Sequence, residues 1–317
     1  MNTTNSNFAR RGFASFRLRR KFARLGLILL ACCPLFVSMQ RAEAARGDLV
    51  KTFSLAANRL AVDPIRPRIY ATLTGSNSVA VIDTSTLSVI KTIPIGSNPV
   101  GLAVSPDASK LYVANSGSTT SAIGVIDLET LQTLPSLWAP AGPSDIAAGL
   151  NGRLYLTPAL QNGGIMQIDS TTGALQAEFD GDRQVFVYAG GFLAMSPDRK
   201  TLYFGNAGIS AATLASFDVS AATAALLQVN SSTVGSNGKD LQISHSGSFL
   251  GFAVGGGQGN YSIAEIPANN LAGSNGLLNT GAYPTNIAFS PDDAVAYAAP
   301  DSQKTVKVFD TANFLMT

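Results

Sequence analysis

The sequence predicts an all-β protein built from six copies of one four-stranded unit, and three recurring features predict it. A turn motif recurs at Asp63-Pro64, Ser105-Pro106-Asp107, Leu150-Asn151-Gly152, Ser196-Pro197-Asp198, His245-Ser246-Gly247 and Ser290-Pro291-Asp292. An aromatic residue follows each motif, at Tyr70, Tyr112, Tyr155, Tyr203, Phe252 and Tyr297. An aspartate ends the third strand of five copies, at Asp83, Asp127, Asp169, Asp218 and Asp310, and Pro267 stands in the other. The first three aspartates are 44 and 42 residues apart, a period typical of the blades of a β-propeller.

The clearest copy begins at Asn98 and shows how each strand is predicted. Short runs rich in β-branched or aromatic residues predict strands at 100–104, 111–114, 123–126 and 131–134. Turn-forming residues separate the runs, and the first turn is Ser105-Pro106-Asp107. The aspartate at the end of the third strand is expected to accept backbone N–H bonds in the turn that follows it, toward Thr86, Thr130 or Thr171.

The two ends of the chain predict how the ring closes. The last copy stops after its third strand, at 306–310, with no outer strand behind it. The segment from Leu49 to Phe53 reads LVKTF and mirrors VIKTI at 89–93, the outer strand of the first copy. We therefore expect this N-terminal strand to complete the last of six blades and to pair its open edge. Seven blades are the alternative, if the long interval from Tyr203 to Phe252 hides another copy or the chain is a fragment.

The repeat resembles a known family. Leu-Tyr-Val-Ala-Asn at 111–115 follows Ser-Pro-Asp and precedes Val-Ile-Asp-Leu-Glu-Thr at 125–130. This pattern resembles the YVTN β-propeller repeat of secreted bacterial and archaeal proteins, in a superfamily with lactonase-like and quinoprotein-like propellers. The resemblance spans about residues 47–317 and is weakest in the third and fifth copies. It implies a fold and says little about function.

The first 44 residues read as a cleaved signal peptide. Residues 1–24 contain seven basic residues and no acid, and an apolar run follows from Leu25 to Met39. Ala42-Glu43-Ala44 supplies the small residues that a signal peptidase requires, so Ala45 is the expected mature N-terminus. The run is shorter than the roughly 20 residues of a membrane-spanning helix. We expect residues 45–317 to form one domain that is exported to the periplasm or the exterior.

The export route has two interpretations. Arg19-Arg20-Lys21-Phe22 directly precedes the apolar run and resembles a twin-arginine motif. The same residues also suit the basic region of an ordinary secretory signal. Leu29-Leu30-Ala31-Cys32 has the outline of a lipidation site, with which the Ala-x-Ala site competes.

Removal of the signal changes the charge and the chemistry of the chain. It leaves 14 basic and 19 acidic residues, a net charge of −5, which disfavours nucleic acid as a partner. Both cysteines are removed, and His245 is the only histidine. A disulfide framework, a site of several imidazoles and a Ser-His-Asp arrangement are thereby excluded. We expect no cofactor and no metal, with Ca²⁺ in the channel left open because aspartate and backbone oxygens can bind it.

Candidate site residues lie at the channel mouth, which we define as the face formed by the loops between blades and the loops between second and third strands. The candidate ligand-binding residues are Asn98, Asp145, Arg183, Asp240 and Asn286. Asp145, Asp240 and Asn286 occupy equivalent positions before their inner strands and could converge there. The competing interpretation is that these side chains cap turns by bonding to nearby backbone.

Two functions follow from this inventory. A non-catalytic scaffold would use the loop faces and the channel mouth to hold a protein, peptide or glycan of the cell envelope. A lactonase-like hydrolase would act on a sugar lactone at the mouth. We expect binding rather than catalysis, because no nucleophile–base pair is recognisable and a lactonase-like cluster would need a glutamate beside Arg183 and Asp145.

Overall fold

The computed structural model describes residues 50–118, 120, 122–159, 163–181, 184–188, 190–231, 235–255, 261–281, 283–300 and 305–317. The predicted signal peptide and Arg183 lie outside these residues. The first blade contains β1 (Leu60–Val62), β2 (Arg68–Leu73), β3 (Ser78–Asp83) and β4 (Ser88–Pro94). The second contains β5 (Pro99–Val104), β6 (Lys110–Asn115), β7 (Ile123–Asp127) and β8 (Gln132–Leu137). The third contains β9 (Pro143–Ala148), β10 (Arg153–Pro158), β11 (Ile165–Asp169) and β12 (Leu175–Phe179).

The other three blades repeat the same order. The fourth contains β13 (Gly191–Met195), β14 (Thr201–Asn206), β15 (Leu214–Asp218) and β16 (Ala225–Asn230). The fifth contains β17 (Gly238–Ile243), β18 (Phe249–Gly255), β19 (Tyr261–Pro267) and β20 (Gly276–Leu278). The sixth contains β21 (Pro284–Phe289), β22 (Val295–Pro300) and β23 (Lys307–Asp310). Every sheet is an antiparallel meander, and the six sheets form a ring. The prediction of a six-blade propeller is confirmed.

The turn between the first and second strands, here called the inner turn, is held by its own serine and aspartate. In the second blade the Ser105 hydroxyl donates to Asp107 at 2.6 Å and accepts from the Lys110 backbone N–H at 2.9 Å. The fourth and sixth blades repeat both bonds, beginning at Ser196 and Ser290. The motif recurs because it fixes the direction in which the chain enters the second strand.

The aspartates that end the third strands also have the structural role expected of them. Asp83 and Asp127 each accept the backbone N–H of the residue three positions later, Thr86 and Thr130, at 2.7 Å. Asp169 does the same with Thr172 at 2.8 Å, one residue beyond the Thr171 considered from the sequence, although Thr171 N–H also bonds to it at 2.9 Å. These turns join the third strand to the outer strand.

The inner turn makes stability sensitive to acid. Hydrogen bonds from the Ser105 hydroxyl, and then from Ser109, lower the pKa of Asp107 from its ordinary value of 3.8 to about 2. Because the folded pKa lies below the unfolded value, the stabilisation is present above pH ~4 and is lost as the pH falls toward ~2. We expect an Asp107→Asn variant to lose less stability than the wild type between pH 4 and pH 2.5, measured by urea unfolding. Parallel losses in the two proteins would contradict this.

The core lies between neighbouring blades. Tyr70 is fully buried and packs with Val79 and Val81 of its own blade against Leu111 and Val113 of the next. Equivalent clusters join each later pair of neighbours, from the second blade to the sixth. Five of the six aromatic residues in the recurring series, all except Tyr297, therefore pack between blades, as the periodicity indicates.

The prediction that residues 49–53 complete the last blade requires a correction. Leu49 lies outside the described residues, and Val50–Phe53 form no strand. The C-terminal residues take the edge instead: Met316 pairs with Phe309, and Thr317 N–H donates to the Val308 carbonyl at 3.0 Å. The reason is loop length. A turn of a few residues joins this C-terminal segment to β23, whereas pairing by the N-terminal segment would close a loop that includes nearly the whole chain, at a larger cost in entropy.

The N-terminal segment packs on the first blade. Phe53 and Leu55 contact a cluster made by Ala71, Ala80 and Ile82. These three residues face away from the second blade, because their neighbours in sequence, such as Tyr70 and Val81, face toward it. The segment therefore covers the side of the first blade that faces the sixth, but as a crossing chain and not as a paired strand.

Packing is weakest where the first blade meets the sixth. Each inner turn begins at the residue whose backbone N–H bonds to the second strand, and these residues are Asp63, Ser105, Gly149, Ser196, Ser244 and Ser290. The residue three positions earlier packs on the preceding blade, and Ile146, Leu193, Leu241 and Ile287 are all buried there. Leu60 holds this position in the first blade and is 63% exposed, and Val62 beside it is 69% exposed. The preceding blade around the ring is the sixth. Among the described residues, this junction therefore leaves apolar surface uncovered that every other junction covers.

Candidate functional site

One register position places six residues around the channel. Counting four residues back from the first residue of each inner turn, as defined by its N–H bond to the second strand, gives Arg59, Gly101, Asp145, Phe192, Asp240 and Asn286. A Cβ at Gly101 would lie 2.5 Å from an oxygen of Asp145, so the second blade can carry only glycine there without displacing that carboxylate. The layer contains three residues predicted from the sequence, Asp145, Asp240 and Asn286, and adds Arg59, Gly101 and Phe192.

The backbone direction explains what this layer contacts. The first residue of the inner turn donates its N–H to the second strand, as Ser105 does to Lys110 at 2.9 Å and Ser244 to Phe249 at 2.9 Å. Because backbone groups alternate in direction along a strand, the residues one and three positions earlier direct N–H and C=O into the channel. Wherever the inward N–H groups are buried, they therefore need hydrogen-bond acceptors in the channel.

Asp145 meets this need between the third and fourth blades. Its Oδ1 accepts the N–H of Ile146 at 2.9 Å, and its Oδ2 accepts the N–H of Leu193 in the next blade at 3.0 Å. The residue is only 8% exposed. Burial raises the pKa of Asp145, an effect opposed by the charge of Arg59 and by these two backbone bonds.

Asp240 repeats the arrangement between the fifth and sixth blades. Its Oδ1 accepts the N–H of Leu241 and its Oδ2 accepts the N–H of Ile287, both at 3.0 Å. Its Oδ1 also forms an ion pair with Nη1 of Arg59. One buried carboxylate thus connects the first, fifth and sixth blades.

Arg59 spans the channel between these carboxylates. Its guanidinium carbon lies 4.8 Å from the centre of the Phe192 ring on the fourth blade, within the range of a cation–π contact. The side chain is 16% exposed. Burial works to lower the pKa of Arg59, but attraction to Asp240 and then Asp145 outweighs it, so the pKa is raised. Arg59 therefore stays charged.

The sequence-predicted site residues do not all meet. Asp145 and Asp240 converge on Arg59, whereas Asn286 is exposed and belongs to the weakly packed junction. Asn98 lies in the loop between the first and second blades with a left-handed backbone (φ 55), where it bonds to Ser116 and accepts no partner from the central layer. Its position agrees with the turn-capping interpretation, since asparagine tolerates this conformation.

Sequence reasoning missed Arg59, although a signal was present. Asp145, Asp240 and Asn286 were recognised as equivalent positions before their inner strands, and Arg59 directly precedes the inner strand of the first blade. Its charge is opposite to that of Asp145 and Asp240. Complementarity across the ring, and not similarity between copies, is what identifies it.

A cavity of about 260 Å³ lies along the channel on the inner-turn side of this layer. Its walls are the inner strands of the first five blades, and its charged lining residues are Arg59, Asp145, Asp240 and Arg199. Arg199 belongs to the inner turn of the fourth blade, and its Nη1 donates to the Ala148 carbonyl at 2.6 Å. Burial lowers the pKa of Arg199. Because the exposed Leu60 and Val62 also line the cavity, it communicates with solvent at the first blade.

The channel mouth presents two aromatic side chains on the loop that joins the third and fourth blades. Phe186 is 47% exposed and Tyr188 is 50% exposed, whereas Val185 before them and Val187 between them are fully buried. Val187 N–H donates to the Gly163 carbonyl at 2.9 Å, and Asn206 Nδ2 donates to the Phe186 carbonyl at 2.8 Å. Residues 185–188 are thus held by buried side chains and backbone bonds, and Phe186 and Tyr188 are half-exposed to solvent.

Among the residues that the structure describes, no group of three or more His, Cys, Asp or Glu side chains is arranged to hold a metal ion. The expectation about Ca²⁺ and cofactors stays a prediction. No helix in the described part of the chain is long and apolar enough to span a bilayer.

Comparisons with known proteins identify the fold of this chain and nothing further. No family model and no curated protein matches the sequence. Among solved structures, Kuenenia stuttgartiensis hydrazine synthase is similar with a TM-score of 0.65 and 18% identity, over 85% of this chain and 80% of that one. The β-propeller domain of Myceliophteria thermophila Cps50 (Swd1) is similar with a TM-score of 0.64 and 12% identity, over 84% and 86%. At these identities the likeness shows that the chain has the β-propeller fold.

Proposed function

We propose that this chain is an exported, non-catalytic propeller of YVTN-type repeats that holds a protein, peptide or glycan of the cell envelope on its channel mouth. The observation that carries the proposal is the exposed pair Phe186 and Tyr188 on a loop fixed by buried neighbours. Half-exposed aromatic residues offer large contact area with little loss of side-chain entropy, so they commonly anchor protein interfaces. A fixed loop further reduces the entropy lost on binding.

The central layer supports binding over hydrolysis. A general base must have a free oxygen within reach of the proton that it removes. All four carboxylate oxygens of Asp145 and Asp240 accept backbone N–H groups, and Asp240 is also paired with Arg59. Their bonds suit them to hold blades together. Measurable hydrolysis of simple sugar lactones by the wild-type protein would favour the lactonase-like alternative instead.

Export is supported by the N-terminal sequence alone. The basic segment, the apolar run and Ala42-Glu43-Ala44 predict cleavage before Ala45. Cell fractionation with N-terminal sequencing tests this, and a cytoplasmic protein that keeps residues 1–44 would contradict it.

The binding surface is tested by removing the aromatic pair. We expect a Phe186→Ser/Tyr188→Ser variant to lose the envelope partners that the wild type retains in chemical cross-linking, while its unfolding stays unchanged because both side chains are half-exposed. The matched control is Leu175→Ser/Leu227→Ser, which removes two exposed apolar residues from outer strands. Equal retention by the aromatic variant and the wild type, or equal loss in the control, would contradict the proposed surface.

A further inference from the structure

We propose that the channel cavity binds a small organic carboxylate between the guanidinium groups of Arg59 and Arg199. The cavity lies on the inner-turn side of the central layer, away from the aromatic residues of the channel mouth. The inference is therefore independent of the proposed partner surface. It rests on unused donors, on carboxylates that bond elsewhere and on an arginine without an ionic partner among the described residues, all lining one cavity.

Both arginines have donors to spare. Arg59 bonds through Nη1 to Asp240, and Arg199 bonds through Nη1 to the Ala148 carbonyl. Within the described residues, Nε and Nη2 of both side chains have no hydrogen-bond acceptor. A guanidinium has five N–H donors, so each side chain retains a free edge that matches the two oxygens of a carboxylate.

Among the described residues, the acidic side chains of the cavity do not accept bonds from these spare donors. Both oxygens of Asp145 and both oxygens of Asp240 already accept backbone N–H groups, and Gln242 Nε2 adds a further contact to Asp240 at 3.3 Å. The spare hydrogen-bonding groups of the charged side chains in this cavity are thus donors. A ligand that satisfies them must bring acceptors, and a carboxylate brings two.

The positive charge of Arg199, at the inner-turn end of the cavity, is not neutralised by any described residue. In the part of the chain that the structure describes, Arg199 has no carboxylate within ion-pair distance. Its neighbour Asp198 is engaged by the Ser196 hydroxyl at 2.7 Å and by the Lys200 backbone N–H at 3.1 Å. A partly buried charge without a partner is unfavourable, and a bound anion would relieve the penalty.

The volume limits the ligand to a small molecule. A cavity of about 260 Å³ is slightly below the range of roughly 300–1,000 Å³ that holds drug-sized ligands. The walls add the inward-facing backbone groups of the inner strands, including those of Met195 and Ile243. A short mono- or dicarboxylate fits this space, whereas a polymer chain does not.

The test is isothermal titration of the mature chain, residues 45–317, with succinate and acetate at low ionic strength, and with succinamide as the uncharged control. We expect saturable 1:1 binding of at least one carboxylate and none of succinamide. Arg199→Gln should weaken that binding by at least about tenfold. Lys200→Gln removes the same charge from the adjacent exposed position and should leave the affinity within about twofold of the wild type.

Each alternative outcome overturns the proposal. Absence of carboxylate binding by the wild type would do so, as would equal binding of succinamide. Equal weakening in Arg199→Gln and Lys200→Gln would show general attraction to positive charge, and binding of inorganic phosphate alone would assign a different ligand. Unfolding midpoints of both variants serve to confirm that the fold is intact, since Arg199 makes one backbone contact.

Discussion

Replacing Asp240 with alanine is expected to lower the free energy of unfolding by about 3–5 kcal/mol, the range measured when one partner of a buried ion pair is removed. The carboxylate is 2% exposed and accepts bonds from the first, fifth and sixth blades through Arg59, Leu241 and Ile287. Its loss leaves the Arg59 charge without its nearest partner and two backbone N–H groups without an acceptor. Urea unfolding, followed by circular dichroism, measures the change.

Two further variants make this prediction specific. Asn286 holds the same register position in the sixth blade but is exposed, so Asn286→Ala is expected to change stability by no more than about 0.5 kcal/mol. Asp240→Asn keeps one carbonyl acceptor and loses the charge, and should fall between the two. Similar losses for Asp240→Ala and Asn286→Ala would show that the layer does not depend on the ionic contact.

The blade count followed from the sequence because its signals are local and repeated. Three of the six inner turns are stabilised by a serine and an aspartate two residues apart, and five of the six third strands end in an aspartate that bonds to the turn after it. Such contacts depend on neighbouring residues only, so they leave a pattern that one copy shares with the next.

The prediction that residues 49–53 close the last blade was wrong because strand pairing is not determined by local sequence. Residues 49–53 resemble an outer strand, but resemblance to β4 does not determine which edge the segment meets. The C-terminal residues 315–317 lack that resemblance and still pair with β23, because a turn at Asp310 returns the chain beside it. Proximity along the chain outweighed similarity between segments.

The candidate site could be predicted only in part for the same reason. Asp145 and Asp240 were found because they repeat one position, yet their partner Arg59 appears once and reaches them across the channel. The contact of Arg59 with the Phe192 ring likewise joins blades that are far apart in sequence. Interactions of this kind require the ring to be assembled before they can be recognised.

Replacing the equivalent leucine with alanine in two blades is expected to lower stability by very different amounts, and the difference tests the weak junction directly. Leu241 and Leu60 both lie three residues before their inner turns, but Leu241 is 1% exposed and Leu60 is 63% exposed. Leu241→Ala should cost about 2–5 kcal/mol, since it opens a cavity against Ala194 and Tyr203 of the fourth blade. Leu60→Ala should cost no more than about 0.5 kcal/mol because little apolar surface is buried there.

The comparison separates two explanations of how the ring is held at this junction. If Leu60→Ala costs as much as Leu241→Ala in urea unfolding, the first and sixth blades pack in solution as the other pairs do. If it costs little while Asp240→Ala costs several kcal/mol, the ends of the ring are joined mainly through Arg59 and the carboxylate that it shares with Ile287. We expect the second result, because Arg59 and Asp240 are buried where Leu60 and Val62 are not.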